Sequence, residues 1–293
     1  MIKEARPFVK WAGGKSQLLD IIRDKYPANI QKYCEPFVGG GAVLFDILEH
    51  FHCEEVLIND INTELINTYQ QIQCHVEELI EQLEQYQHLF LQADTPHRKK
   101  IFSEKRDRFN SLKNNADEKN KLEQATLFIF LNKTCFNGLY RVNRKGVFNV
   151  PMGSYKKPVI CDGENLRKVS RLLQNVTIQC GDYRACYDFI DSRTFVYIDP
   201  PYRPLTRTAS FTSYTENGFD DDEQVLLGKF VDSICKKQAT VLISNSDPKN
   251  TDENDDFFDV LYQNYQIERV SAKRMINSCG NNRGIIQELL ISN

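Results

Sequence analysis

Short apolar runs that stop at Gly, Asp or Asn, separated by longer stretches of helical periodicity, set the rhythm of this chain. Tyr33–Phe37 (YCEPF) reads as a strand running into Gly39-Gly40-Gly41, and a helical pattern follows over Ala42–His50. Val56–Ile58 reads as the next strand and ends at Asn59-Asp60, with Asn62 placed to cap a long helix through Leu65, Ile66 and Tyr69. From about residue 71 to 165 the pattern changes. Polar, charged, helix-favouring stretches extend to Leu131, and a Gly-punctuated, aromatic-rich segment, Thr134–Pro158, reads as a loop or hairpin at the tip of a mainly helical insertion. After Asn165 the first rhythm resumes. Val176–Cys180 leads to Gly181-Asp182, Thr194–Ile198 leads to Asp199-Pro200-Pro201-Tyr202, a helix spans about Asp221–Lys236, and Val241–Ser244 ends at Asn245. Tyr265–Val270 and Ile285–Ile291 pair as a terminal hairpin. About seven strands with helices between them predict an α/β fold whose mostly parallel sheet carries an antiparallel edge.

Length and composition fit one large soluble domain or a main domain with an insertion: 293 residues, 41% hydrophobic and 26% charged. No apolar run approaches membrane length. The nine cysteines (34, 53, 74, 135, 161, 180, 186, 235, 279) show neither paired spacing nor a Cys/His cluster. That argues against a zinc site and against a disulfide framework, so no metal is expected. The odd count, with no signal-like segment, points to a reducing cytoplasm.

Charge changes the picture. The net charge is −3, which alone speaks against a nucleic-acid partner, yet residues 95–171 hold 18 Lys+Arg against 7 Asp+Glu, a local net of +11 that leaves −14 for the remainder. Such segregation is what a basic binding face on an acidic body produces. Part of it, notably Arg98–Arg108, is equally a solvated helix face.

The candidate chemistry collects where strands end, which is where ligands bind in open α/β sheets. Glycines after the first strand let a ligand approach the backbone, and Asp60, about 20 residues on, suits ribose hydroxyls. The pattern is not a dinucleotide fingerprint, because residue 44 is Leu where GxGxxG counted from Gly39 needs Gly. A ligand with one nucleoside and a short charged tail fits better than NAD; S-adenosylmethionine is such a ligand. Gly14-Lys15-Ser16 invites a phosphate-loop reading, but that motif needs Gly at position 9, which is Val9. Trp11, the single tryptophan, is either core or the wall of an adenine or methionine pocket. At Asp199–Tyr202 two prolines fix φ and lack N–H groups, so carbonyls point outward as acceptors. With a carboxylate and an aromatic face the loop suits a planar heterocycle bearing an amino group; a plain Pro-Pro turn is the alternative.

These blocks, in this order, resemble the amino-methyltransferases of DNA, and more narrowly the GATC-type Dam/DpnM family of adenine-N6 methyltransferases. The resemblance rests on FVKWAGGK (8–15), EPFVGGGA (35–42), INDINTELI (58–66), FNGLYRVNRKGVFNVPMGSYKKP (136–158), DPPY (199–202), SFTSY (210–214) and LISN (242–245), and spans nearly the whole chain. It implies a Rossmann-like S-adenosylmethionine-dependent methyltransferase sheet formed by residues 1–70 and 166–293, with a mainly helical target-recognition insertion at 71–165. Trp11, Lys15, Asp60 and Asp199 match cofactor-contacting positions, Phe37, Gly39 and Gly41 belong to the glycine loop, and Asp182 matches an acidic position facing the cofactor's adenine.

The implied reaction is attack of adenine N6 on the sulfonium methyl. Asp199 and the Pro200 carbonyl would accept the N6 hydrogens, with Pro201 stiffening the loop and Tyr202 stacking on the base. The partner would be double-stranded DNA with the base flipped out. Phe136 would wedge the vacated stack, unless it is a core residue of the insertion. For target reading, Arg141 suits a guanine edge, Leu139 and Pro151 a thymine methyl, and Asn137 and Tyr155 phosphate or base. Lys10 matches the family position that reads the first guanine, and Lys156 and Lys157 suit the backbone. Adenine methylation of another sequence or of RNA, and an idle nucleic-acid-binding module, are the alternatives. The loop Asn277–Gly284 has no assigned contact.

Overall fold

The computed structural model describes residues 4–113, 117–203, 219–273 and 285–293. The SFTSY block (210–214) and the loop 277–284 lie outside the described residues.

Seven strands form one sheet: β1 Lys32–Glu35, β2 Glu55–Asp60, β3 Val176–Cys180, β4 Thr194–Ile198, β5 Thr240–Ser246, β6 Gln266–Lys273 and β7 Ile285–Ser292. Their order is β3-β2-β1-β4-β5-β7-β6. β1 pairs in parallel with β2 and β4, and β4 with β5, while β7 runs antiparallel to both β5 and β6. The apolar runs of the sequence are therefore these strands, and the expected antiparallel edge is the β6–β7 pair. β1 stops at Glu35 rather than continuing to Phe37. Pro36 has no N–H to give the ladder, and its carbonyl accepts from Asn59 Nδ2 at 3.0 Å instead.

The helices are α1 Leu19–Arg23, α2 Ala42–His50, α3 Thr63–Cys74, α4 Val76–Gln92, α5 Thr95–Leu112, α6 Lys121–Thr134, α7 Gly163–Leu173, α8 Asp221–Cys235 and α9 Phe257–Leu261. Side-chain caps start several of them. Asn62 Oδ1 accepts from Leu65 N at 2.8 Å at the head of α3, and Asp220 Oδ1 accepts from Glu223 N at 3.1 Å at the head of α8.

The chain divides into two compact units: Met1–Gly14, Gly39–Glu49 and Asp60–Gly181 in the first, Lys15–Val38, His50–Asn59 and Asp182–Asn293 in the second. The first is built around α6, whose residues Ala125–Asn132 are buried without interruption, and α3, α4 and α5 pack on it. A helix apolar on every side has to lie inside a core. The segment after α6 folds back on itself through antiparallel bridges Cys135–Met152 and Val142–Phe148, which is the hairpin-like tip expected from its glycines. In the second unit β4 is buried at all five positions, as an internal parallel strand must be. Val196, Ile198, Val241, Ile243, Leu289 and Ile291 form its core with Leu227, Phe230 and Val231 of α8.

Candidate active site

In the second unit the chain leaves the sheet at Asp199, because Pro200 and Pro201 cannot extend the ladder. Asp199 Oδ1 accepts two hydrogen bonds, from Lys15 Nζ at 2.6 Å and from Ser244 Oγ of β5 at 3.2 Å. Both fall on the same oxygen, which among the described residues leaves Oδ2 to accept from a further donor. Lys15 Nζ also donates to the Tyr202 hydroxyl at 2.8 Å and lies 4.9 Å from the centre of that ring. The Tyr202 hydroxyl in turn donates to Glu288 Oε2 of β7 at 3.2 Å, and Glu288 stands 3.9 Å from Lys15 Nζ.

Lys15 is only 3% exposed. Burial pulls its amine down, and Asp199, Tyr197 and Glu288 outweigh that and hold it above the ordinary lysine value. Burial likewise pushes both Asp199 and Glu288 above the usual carboxylate range, with Lys15 opposing it in each. The Asp199–Tyr202 loop is pinned from below: Gln224 of α8, fully buried, donates to the Pro201 carbonyl at 3.1 Å and accepts from Asn245 Nδ2 at 3.4 Å. Arg203, directly after the loop, pairs with Asp221 and Asp255 and lies 4.4 Å from the Phe257 ring. A loop held at both ends fits a group that orients a reacting nitrogen, and the plain-turn reading does not explain a buried lysine bonded to its carboxylate.

Within the first unit, Gly39 and Gly41 have φ of 47° and 74°, and a Cβ at either would lie 2.7 Å from Trp11 Cδ1 or 2.5 Å from the Tyr69 hydroxyl. The chain is bare there of necessity. Asp60, closing β2, accepts from Gly39 N at 3.0 Å and from Asn62 N at 2.9 Å, one bond on each oxygen. The Ile61 N–H also favours the Asp60 carboxylate, and Ile61 itself is 52% exposed. A fixed carboxylate with an exposed apolar residue beside it fits a nucleoside, while Gly39–Gly41 themselves are buried against Trp11 and Tyr69. Trp11 is half-buried and stacked on Tyr140 at 5.9 Å and 25°. Phe37 and Asp182 belong to the second unit. The Phe37 ring packs 5.3 Å from that of Tyr183, and Asp182 is gripped through both oxygens by Arg184 at 2.7 and 2.8 Å, which holds its carboxyl below the usual range.

The residues expected to read a target all lie in the first unit. Phe136, Asn137, Arg141, Pro151 and Lys10 are exposed, and Leu139 and Tyr155 are half-buried. Phe136 is 50% exposed, which removes its reading as a core residue of the insertion. Asn137 adopts a left-handed backbone (φ 55°), which Asn tolerates better than most residues. Arg141 Nε donates to Asn149 Oδ1 at 2.9 Å. The Lys10 stem lies across Gly138, where a Cβ would approach it to 2.6 Å, and Lys10 Nζ is 4.9 Å from the Tyr155 ring centre.

Several contributors escaped the sequence reading. Buried Asn132 accepts from Lys10 N and donates to the carbonyls of Lys10 and Gly138, all at 2.8 Å, so one amide ties the N-terminal segment to the tip. Gln224, Ile61 and Glu288 were passed over as well. Only Glu288 left a signal, the one charged residue in the largely apolar strand Ile285–Ser292. Among the described residues no group of His, Cys, Asp and Glu could hold a metal ion, and no helix is long and apolar enough to cross a membrane.

The profile of the D12 class N6 adenine-specific DNA methyltransferases matches residues 11–276. The chain is 49% identical to the type II methyltransferase M.MjaIII of Methanocaldococcus jannaschii, over 99% of each chain. It is 36% identical to the type II methyltransferase M1.LlaDCHI of Lactococcus lactis, over 98% of this chain and 95% of that one. It is 33% identical to the DNA adenine methylase of Escherichia coli K12, over 99% of this chain and 95% of that one.

Proposed function

The chain belongs to the D12 class of N6 adenine-specific DNA methyltransferases, and on that premise we propose that it methylates the adenine of GATC, using S-adenosylmethionine and a base turned out of the duplex. When bound, S-adenosylmethionine supplies an electrophilic methyl on a sulfonium. The observation that carries the reading is the Asp199 carboxylate, with Lys15 and Ser244 on one oxygen and the other left to accept.

The chemical difficulty lies with the nucleophile, because the N6 lone pair is delocalised into the adenine ring. Asp199 Oδ2 and the Pro200 carbonyl accept the two N6 hydrogens, draw the nitrogen toward tetrahedral and aim its lone pair. Orientation of this kind accounts for a large share of a rate enhancement. As positive charge arrives on N6 with the methyl, the same two acceptors stabilise it, and one N6 proton leaves through Asp199 to water. Tyr202 stacks on the base. Asp60 would take ribose hydroxyls, with Gly39 and Gly41 beside it and the Trp11 ring against the nucleoside; Phe37 is carried over from the resemblance as a further cofactor contact. Asp182, carried over from the resemblance, would accept from the cofactor's adenine amino group with whatever acceptor capacity Arg184 leaves.

Residues 71–165 act as the target-recognition part, on a catalytic body of 1–70 and 166–293. An adenine inside a duplex is out of reach, so it is extruded at a cost of a few kcal/mol. The exposed Phe136 fills the gap. Arg141 reads guanine through O6 and N7, Leu139 and Pro151 touch a thymine methyl, Lys10 takes the first guanine, and Asn137 and Tyr155 hold phosphate or base.

The test is transfer of labelled methyl from S-adenosylmethionine to duplexes that contain GATC or differ from it by one base pair. The expected result is transfer confined to GATC. Equal transfer to every duplex would remove the GATC assignment, and transfer to none would remove the whole reading.

A further inference from the structure

We infer that Glu288 is a positioning residue for methyl transfer: it shares the charge of Lys15, directly and through the Tyr202 hydroxyl, and so keeps Asp199 an effective anion. This rests on the function proposed above. The geometry is a linked set of four side chains in the second unit, with Ser244 also bonded to Asp199. Lys15 Nζ is 2.6 Å from Asp199, 2.8 Å from the Tyr202 hydroxyl and 3.9 Å from Glu288, and the Tyr202 hydroxyl is 3.2 Å from Glu288.

Nothing in the fold of β7 calls for a carboxylate at this place. Its neighbours Leu289 and Ile291 enter the core on one face, and an apolar residue at 288 would satisfy a strand position that is only 8% exposed. Burying a carboxylate is costly unless it is paired, so its presence has to be explained by what it pairs with.

The charge count supplies the explanation. Lys15 and Asp199 alone sum to zero, and a lysine at 2.6 Å would draw off much of the electron density that Asp199 needs as an acceptor. With Glu288 the set carries one net negative charge. The reaction moves one positive charge onto N6, forming the N–C bond with the N6 lone pair, breaking the C–S bond with its electrons kept by sulfur, and releasing one proton from N6. A net anionic set beside Asp199 favours that charge more as the reaction advances than at its start. Glu288 therefore acts on kcat, through Lys15, and touches neither substrate. Tyr202 relays the contact because its hydroxyl accepts from the lysine and donates to the carboxylate, which fixes the proton arrangement of the set.

Glu288→Gln keeps the shape and the acceptor for Tyr202 and removes the charge. In single-turnover methylation of a GATC duplex the expected result is a 10- to 100-fold lower rate, with the apparent affinities for S-adenosylmethionine and DNA within threefold of wild type. Glu288→Asp, which keeps the charge, should recover most of the rate. Wild-type rate in Glu288→Gln, or an affinity loss with the rate intact, overturns the assignment, as does Glu288→Asp being no better than Glu288→Gln. If Glu288→Gln does not fold, the pair Lys15→Met, Glu288→Gln is compared with Lys15→Met alone. Equal rates are expected, because Glu288 works through the lysine, and a further tenfold fall would overturn the idea. A wild-type protein that transfers no methyl to DNA would instead defeat the underlying reading, and the two failures are distinguishable.

Discussion

Replacing Lys15 with Met removes a buried cation from between two carboxylates, and the consequence for folding can be worked from the distances. At 2.6 Å from Asp199 and 3.9 Å from Glu288, the Coulomb attractions at an effective dielectric of 20 are about 6 and about 4 kcal/mol. Desolvation of all three groups offsets much of that, and breaking one partner out of a buried set typically costs about 3–5 kcal/mol. The cost depends on pH, and its sign follows from the direction of the shifts. Asp199 and Glu288 both sit above their ordinary values in the folded protein. Groups raised on folding contribute stability below their unfolded pKa and lose it as pH rises through the folded one. Without Lys15 both are raised further, so the variant holds a proton that its unfolded chain has released. Each such proton costs about 1.4 kcal/mol per pH unit. Urea unfolding should therefore show Lys15→Met about 1 kcal/mol less stable than wild type near pH 5 and about 3–5 kcal/mol less stable near pH 8. An equal difference at both pH values, or none at pH 8, would refute the electrostatic account of this cluster.

Two further outcomes test the target-reading surface. Arg141→Ala should relax discrimination at the guanine it reads by about 10- to 100-fold, the equivalent of about 1–3 kcal/mol, while leaving the affinity for S-adenosylmethionine unchanged; an unaltered sequence preference in competition methylation would remove Arg141 from that role. Phe136→Ala should cut the fluorescence rise of 2-aminopurine placed at the target adenine, since nothing would fill the vacated stack; a full rise in the variant would show that the base leaves the duplex without it.

How far the sequence carries varies from element to element, for physical reasons. β1 to β5 were legible because each is a short, largely apolar run that stops close to Gly, Asp, Asn or Pro, and a buried parallel strand leaves no other pattern; β6 and β7 were legible only as the two arms of a terminal hairpin. Asn62 as the cap of α3 was legible because capping is local: the side chain reaches a backbone N–H three residues on. The short helices α1 and α9, and α7 just where the helical insertion gives way to the sheet, went unnoticed. Two of the three are only five residues long, too short for periodicity to build up.

The site divides along the same line. Asp199, Asp60 and Gly39–Gly41 stood out as motifs, each compact in sequence. Glu288 and Gln224 did not, because their meaning lies in partners far along the chain: Lys15 for the first, the Pro201 carbonyl for the second. Asn132 looks like any polar residue at the end of a helix until its amide is seen to bridge Lys10 and Gly138. Lys15 was expected as a cofactor contact from the resemblance alone. Its bond to Asp199 gives it an electrostatic part in the cluster that no local pattern contains.

The central claim is that Asp199 and its loop direct a methyl to N6 of adenine. The most direct measurement is nucleoside analysis of a duplex carrying one GATC after incubation with the protein and S-adenosylmethionine, run beside Asp199→Ala. The account predicts N6-methyl-2′-deoxyadenosine as the sole modified nucleoside, and none with the variant. A methyl on any other base or position, or undiminished product from Asp199→Ala, would contradict it.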